Sequence, residues 1–236
     1  MMRGAWTVGW ALVFAVWVDL TQVSAAEARP LEVVRKVEPL YPLQARANGI
    51  EGTVRVRFEV DGSGDVAKPK VTSSSGDGFL DLSALMAISQ WKFLNAPATG
   101  KSKRGKQTVE QDFEFKAPGA KEQEAMCVKL KAMKLPPPPD QLETDLVDRV
   151  GVRVRVEFLL ALDEQGDVCW LRLLKSSRSL KMDYALAEAF YTRYRYDVKM
   201  LGAPGVRAAD LQLAKVPAHL HGRIAHLVRL PVEIPK

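Results

Sequence analysis

From Thr53 to Val60 the chain alternates: Val54, Val56, Phe58 and Val60 are apolar, while Arg55, Arg57 and Glu59 are polar. A period of two puts successive side chains on opposite faces, so the stretch predicts a strand with one buried and one wetted face. Asp61-Gly62-Ser63-Gly64 is a turn by composition. Val66–Thr72 reads as the return strand. Pro69 within it cannot donate to a ladder, which confines that strand to an edge or an irregular pairing. Ser73–Gly78 is a loop, and Asp81 is placed to cap a helix. Ala84, Leu85, Ile88 and Trp91 then fall on one helical face. Gln107–Lys116 reads as a third strand with imperfect alternation.

The same pattern recurs about 102 residues further on. Val156, Phe158, Leu160 and Leu162 take the strand positions. Gly166-Asp167-Val168 repeats Gly64-Asp65-Val66, and Ser176-Ser177, Asp183, Ala187 and Phe190 repeat the rest. A self-match at one offset is the signature of an internal duplication. The second copy runs strand Val152–Leu162, strand Val168–Lys175, helix Tyr184–Tyr194 and a last strand Leu227–Ile234, where Pro231 again marks an edge or a bulge. Gly205–Gly222 is an insertion. Each copy is thus β-β-α-β, and the expected fold class is α+β: two small units, each with a helix packed on a three-stranded antiparallel sheet.

The flanks complete the plan. Arg29–Val37 has little pattern of its own. Tyr41-Pro42 leads into a short helical turn at Leu43–Ala47, which Asn48-Gly49 ends. Lys121–Leu135 joins the copies and is expected to be partly helical, and Pro136–Pro139 follows as a stiff spacer. The expected boundaries are 1–26 for a secretory signal, 30–118 for the first unit, 119–140 for a linker and 141–236 for the second unit. Arg3, the apolar run Ala5–Val18 and the small residues Val23-Ser24-Ala25 carry the signal reading. An uncleaved inner-membrane anchor is the alternative. No other stretch is long and apolar enough to cross a membrane.

Composition changes this picture little. The formal net charge is +6, spread along the chain except for Lys101, Lys103, Arg104 and Lys106. No aromatic residue is interleaved with that cluster, so nucleic acid is not an expected partner. Export would place Cys127 and Cys169 in an oxidising compartment, where they form either one disulfide or two buried thiols. His219, His221 and His226 share one stretch. Imidazole nitrogens could hold zinc or copper there, but no nearby cysteine completes a set and an exposed polar loop is the plainer reading. The repeated Ser74-Ser75 and Ser176-Ser177 pairs read as turn-closing hydroxyls, because the first copy has no histidine to activate a serine. No phosphate loop, Gly-x-Ser-x-Gly or His-Glu-x-x-His motif is present. Neither enzymatic activity nor a cofactor is therefore expected.

One resemblance stands on several motifs in order: Tyr41-Pro42, Ala45, Gly49, Gly52, Val54–Val60, Gly64-Asp65-Val66, Ser74-Ser75-Gly76, Leu80-Asp81, Ala84, Trp91 and Phe93. Over about Pro39–Phe115 the chain resembles the TonB C-terminal domain. The second copy resembles it more faintly, with Arg178 after Ser177 and with Tyr194 and Tyr196 in place of Trp91 and Phe93. The resemblance implies a periplasmic, non-catalytic module that binds a protein, such as an outer-membrane receptor or another envelope protein, by adding a strand to a sheet edge. The edge it implies is Val109, Gln111, Phe113 and Phe115. A membrane-anchored energy transducer of the same family and a periplasmic metal-binding protein are the alternatives. Against the transducer, only about a dozen residues separate the signal from Tyr41, about 40–50 Å at full extension. The oligomeric state is not legible.

Overall fold

The computed structural model describes residues 31–94, 106–138, 154–201 and 205–234. The signal reading and most of the lysine cluster lie outside them. The elements are β1 (Val33–Arg35), α1 (Leu43–Ala47), β2 (Gly52–Val60), β3 (Val66–Ser73), α2 (Gly78–Ser89), β4 (Lys92–Phe93), β5 (Gln107–Phe115), α3 (Ala120–Ala132), β6 (Val154–Leu162), β7 (Val168–Lys175), α4 (Leu180–Thr192), α5 (Ala208–Ala214) and β8 (His226–Ile234). Short 3-10 turns span Val198–Leu201 and Ala218–Arg223.

The fold is α+β. Two three-stranded antiparallel sheets carry it, in the orders β3-β2-β5 and β7-β6-β8. In the first, β2 and β5 pair without interruption from Gly52 with Phe115 to Val60 with Gln107. In the second, β6 and β8 do the same from Val154 with Ile234 to Leu162 with His226. The alternation of β2 becomes burial: Val54, Val56, Phe58 and Val60 are buried, and Arg55 and Arg57 are exposed. β3 is an edge strand whose register slips between Arg57 and Glu59, where Lys68 takes a φ of 51° next to Pro69. A further ribbon of β1 with β4 was not legible, since Val33–Arg35 is too short for a periodicity.

The two halves repeat one local geometry. Gly64 (φ 82°) and Gly166 (φ 85°) each sit where a Cβ would lie 1.9 Å from a carbonyl oxygen, that of Phe93 or Tyr196. Each accepts the amide of that same residue at 2.9 Å. Only glycine can take both the positive φ and the close approach. Asp81 accepts from Ser74 Oγ (2.5 Å) and from the Ser75 amide (2.9 Å); Asp183 accepts likewise from Ser176 and Ser177 (2.5 and 2.8 Å). This corrects the expected cap. Asp81 closes the loop that precedes α2, and the α2 N-cap is Asp77, whose Oδ1 accepts from the amides of Phe79 (2.9 Å) and Leu80 (3.0 Å). Similarly, α4 starts at Leu180 rather than Tyr184, capped by Ser179. Trp91 lies past the end of α2 rather than on it. It is buried, and its Nε1 donates to Val37 O at 2.8 Å.

The two halves share one hydrophobic core. Helix α2 buries Phe79, Leu80, Leu82, Ala84, Ala87 and Ile88, which together nearly surround its axis. A helix apolar all round has to be covered on all sides. Its own sheet covers one side, and α4 covers another. The Phe79 ring lies 5.4 Å from that of Tyr191 and 5.5 Å from that of Tyr184. The connecting stretch is tied to both halves. Arg46 bonds Glu122 on α3 at 2.9 Å, while the Arg195 guanidinium bonds Leu130 O (3.0 Å), Met133 O (3.3 Å) and Asp167 (2.7 Å). The Gly205–Gly222 stretch contributes Leu211, Ala214, Val216 and Leu220 to the core.

Candidate functional site

A sheet edge recruits another strand only if its outward backbone groups are unpaired and regular. The two sheets have four edges, and they differ. The outer edge of β3 is interrupted by Lys68 and Pro69. That of β7 is occupied from within the chain: the Leu171 amide donates to Asp77 Oδ2 (3.3 Å), and Trp170 Nε1 donates to Gly76 O (2.7 Å). Gly78 completes this seal, since a Cβ there would sit 3.0 Å from Leu171 O. β8 carries Pro231 opposite Glu157. β5 has no proline, no bulge and nine residues in register with β2, and among the described residues no strand pairs with its outer side.

The residues expected to bind a partner divide into two kinds. Phe113 and Phe115 are 5% and 4% exposed. Phe113 meets Trp91 edge-on at 5.8 Å, and Phe115 meets Tyr41 at 5.4 Å. Their rings anchor β5 to the core, so what they offer outward is backbone. Val109 and Gln111 are half-buried, and the Gln111 amide donates to Asp112 O at 2.6 Å.

The opposite face of β5 is ionic, a feature legible in the alternation but not singled out from it. Arg55 grips Asp112 through two bonds of 2.7 and 2.8 Å, and Arg57 meets Glu110 at 2.7 Å. Glu59 lies between Lys68 (3.1 Å) and Lys106 (3.2 Å). The Arg55 guanidinium holds the Asp112 carboxyl below its usual range, and the two ammonium groups do the same for Glu59. These cross-strand pairs fix the β2–β5 register from the solvent side, as Phe113 and Phe115 do from the core side.

The other chemistry-bearing residues are dispersed. The expected disulfide is not formed: both cysteines are free thiols. Cys127, on α3, contacts Ala47 O, whereas Cys169 is buried in β7 beside Asp167 O. They are held by different halves of the molecule. Burial pushes the Cys169 thiol up to about 12, which leaves it protonated and unreactive. His221 bonds Val216 O at 2.9 Å, and His226 is buried at the start of β8, opposite Leu162. Among the described residues, no three of His, Cys, Asp and Glu are grouped to hold a metal ion. Tyr41, from the Tyr-Pro motif, donates to Ile50 O, and burial pushes its hydroxyl up to about 12. Asp77 was missed altogether. It is fully buried, and loss of hydration pushes its carboxyl up to about 7 against the pull of three backbone amides. No periodicity marks a polar residue that a distant segment will bury.

The arrangement defines a class first: an α+β domain with an unobstructed antiparallel edge strand. Comparison with known proteins then gives a similarity over part of the chain. Residues 37–116 match the model described as Gram-negative bacterial TonB protein C-terminal. Protein TonB of Vibrio cholerae serotype O1 is 49% identical over 65 residues, which is 28% of this chain and 27% of the relative. Protein tonB2 of Pseudomonas aeruginosa is 38% identical over 77 residues, 33% of this chain and 28% of the relative. The solution NMR structure of Pseudomonas aeruginosa TonB CTD is similar at 26% identity and a TM-score of 0.33, covering 40% of this chain and 93% of that one. Residues 37–116 are thus similar to the TonB C-terminal domain. The matched region spans only about a quarter to a third of the curated relatives' length.

Proposed function

We propose that the chain is a non-catalytic, exported protein-binding module of the periplasm, and that the outer edge of β5 takes up an extended segment of an outer-membrane transport protein or another envelope protein. One observation carries this reading: of the four edges, among the described residues, β5 alone is long, regular and free of proline, bulge and cover. Main-chain hydrogen bonds would supply affinity, and side chains alternating across the new pair would supply selectivity. On the wetted face the incoming strand meets Glu110, Asp112 and Glu114, already paired with Arg57, Arg55 and Lys116, a row that favours polar residues opposite it. The similarity of residues 37–116 to the TonB C-terminal domain supports the envelope setting. We further read residues 30–118 and 141–236 as tandem units of common origin, the second serving to support the first.

A photo-crosslinking side chain placed at Glu110 on β5, with the same label at Lys70 on β3 as reference, tests the edge in producing cells. Adducts with an outer-membrane protein at 110 and none at 70 are expected. Equal labelling at both positions, or none at 110, would remove β5 as the docking strand. Gln111→Ala should weaken capture without unfolding the chain, a cleaner test than proline at Phe113, which would also remove a core ring. The intact mass of the periplasmic and membrane fractions accompanies it. A soluble product lacking about 25 residues is expected from the signal pattern, whereas a full-length membrane-bound product would mark an anchored transducer.

A further inference from the structure

The seam between the halves is built on a carboxyl group. Asp77 is wholly buried, and among the described residues no cation acts on it. Oδ1 caps α2, and Oδ2 reaches out of the first half to take the Leu171 amide from the edge of β7. Beside this bond Trp170 donates to Gly76 O, and Gly78 lies against the β7 backbone. The titratable groups facing Asp77 are anionic or neutral. They are Asp81 on α2, already engaged by Ser74 and Ser75; Tyr41 ahead of α1; and Tyr191 on α4. The Tyr191 hydroxyl donates to Cys169 O at 3.3 Å, and Asp77 Oδ1 keeps both helix amides.

We propose that Asp77 is a proton-operated latch between the two halves: protonated, it holds the α2–β7 junction closed, and ionised, it loosens the junction and uncovers the outer edge of β7. A buried carboxylate with no cation beside it costs free energy that a neutral carboxyl does not, and separation of the halves returns it to water. The direction follows from linkage. The closed form binds the proton more tightly than the open one, with a midpoint near 7 against an ordinary 3.8. Closure is thus firmest below about pH 4, weakens by up to about tenfold per pH unit as pH rises toward 7, and levels off above that. This device does not depend on β5 being the partner site.

Hydrogen exchange of the full chain, followed by mass spectrometry at several pH values from 5 to 8.5 and corrected for the intrinsic rate, reads the latch directly. Protection of the β7 amides around Leu171 should fall by roughly tenfold per pH unit up to about pH 7 and then stay level. In Asp77→Asn the β7 protection should lose its pH dependence. A pH-independent wild type, or an equal fall in the variant, would overturn the proposal. Should Asp77→Asn fail to fold, the carboxyl carbon shift of Asp77 in the wild type decides: a midpoint near 7 supports the latch, and one below about 5 refutes it.

Discussion

Single glycines and single carboxyls hold this molecule at points where no other residue type fits. At Gly64 and Gly166 a methyl group would collide with a backbone carbonyl at 1.9 Å, and neither partner is a side chain that could swing away. Alanine at either position should cost at least about 2 kcal/mol in urea denaturation. Gly222→Ala, with nothing within 4 Å of the added carbon, should stay within about 0.5 kcal/mol. Both critical glycines were visible beforehand as a repeated Gly-Asp-Val turn. Asp81 was visible too, but its role was not: an aspartate at a helix start can cap the helix or close the loop before it. Removing Asp81 orphans the half-buried Ser75 amide. Asp81→Ala should therefore destabilise by about 1–3 kcal/mol in the same assay, as should Asp183→Ala at the matching position.

Among the elements, strands were easier to read than helices. The period-two pattern of β2 translated directly into a buried and an exposed face, and Pro69 and Pro231 both fell on edge strands, as their missing amides require. Helix α2 was placed four residues late, because its first turn was assigned to the loop. Its uniformly apolar composition was the missed signal that something besides its own sheet would cover it. Trp91 was expected on the apolar face of the helix; it is buried, but just past the helix end, and Phe93 follows it on β4. Trp91 packs against Phe93 and Phe113, and its indole ties the segment before α1 to the end of α2. Trp91→Ala should cost about 3–5 kcal/mol. Because the lost ring also backs Phe113, it should raise exchange along β5 more than along β6.

As a whole, the chain is tied across its middle more firmly than two units on a linker would be. Phe79 of the first half stacks on Tyr191 of the second, and Arg195 binds the stretch that joins them. Wild-type unfolding should accordingly be a single transition by near-UV dichroism and by tryptophan fluorescence. Phe79→Ala should cost about 3–5 kcal/mol at the seam and separate the two probes' transitions. Coincident transitions in that variant would show the seam to be less important than its contacts suggest.

Much about this protein is written locally. Strand periodicity, turn glycines and proline positions depend on backbone geometry within a few residues, so the repeated β-β-α-β plan and the TonB-like motifs could be read without coordinates. Three things could not. The docking of α2 on α4, the covering of the β7 edge and the burial of Asp77 all join residues about a hundred positions apart, Asp77 and Leu171 being separated by 94. Which edge remains open, which thiols meet and whether a carboxyl keeps its hydration depend on what the distant half of the chain brings alongside. Those outcomes are set by the fit of two apolar faces and by the loss of water between them, and neither leaves a periodic trace in the order of the residues.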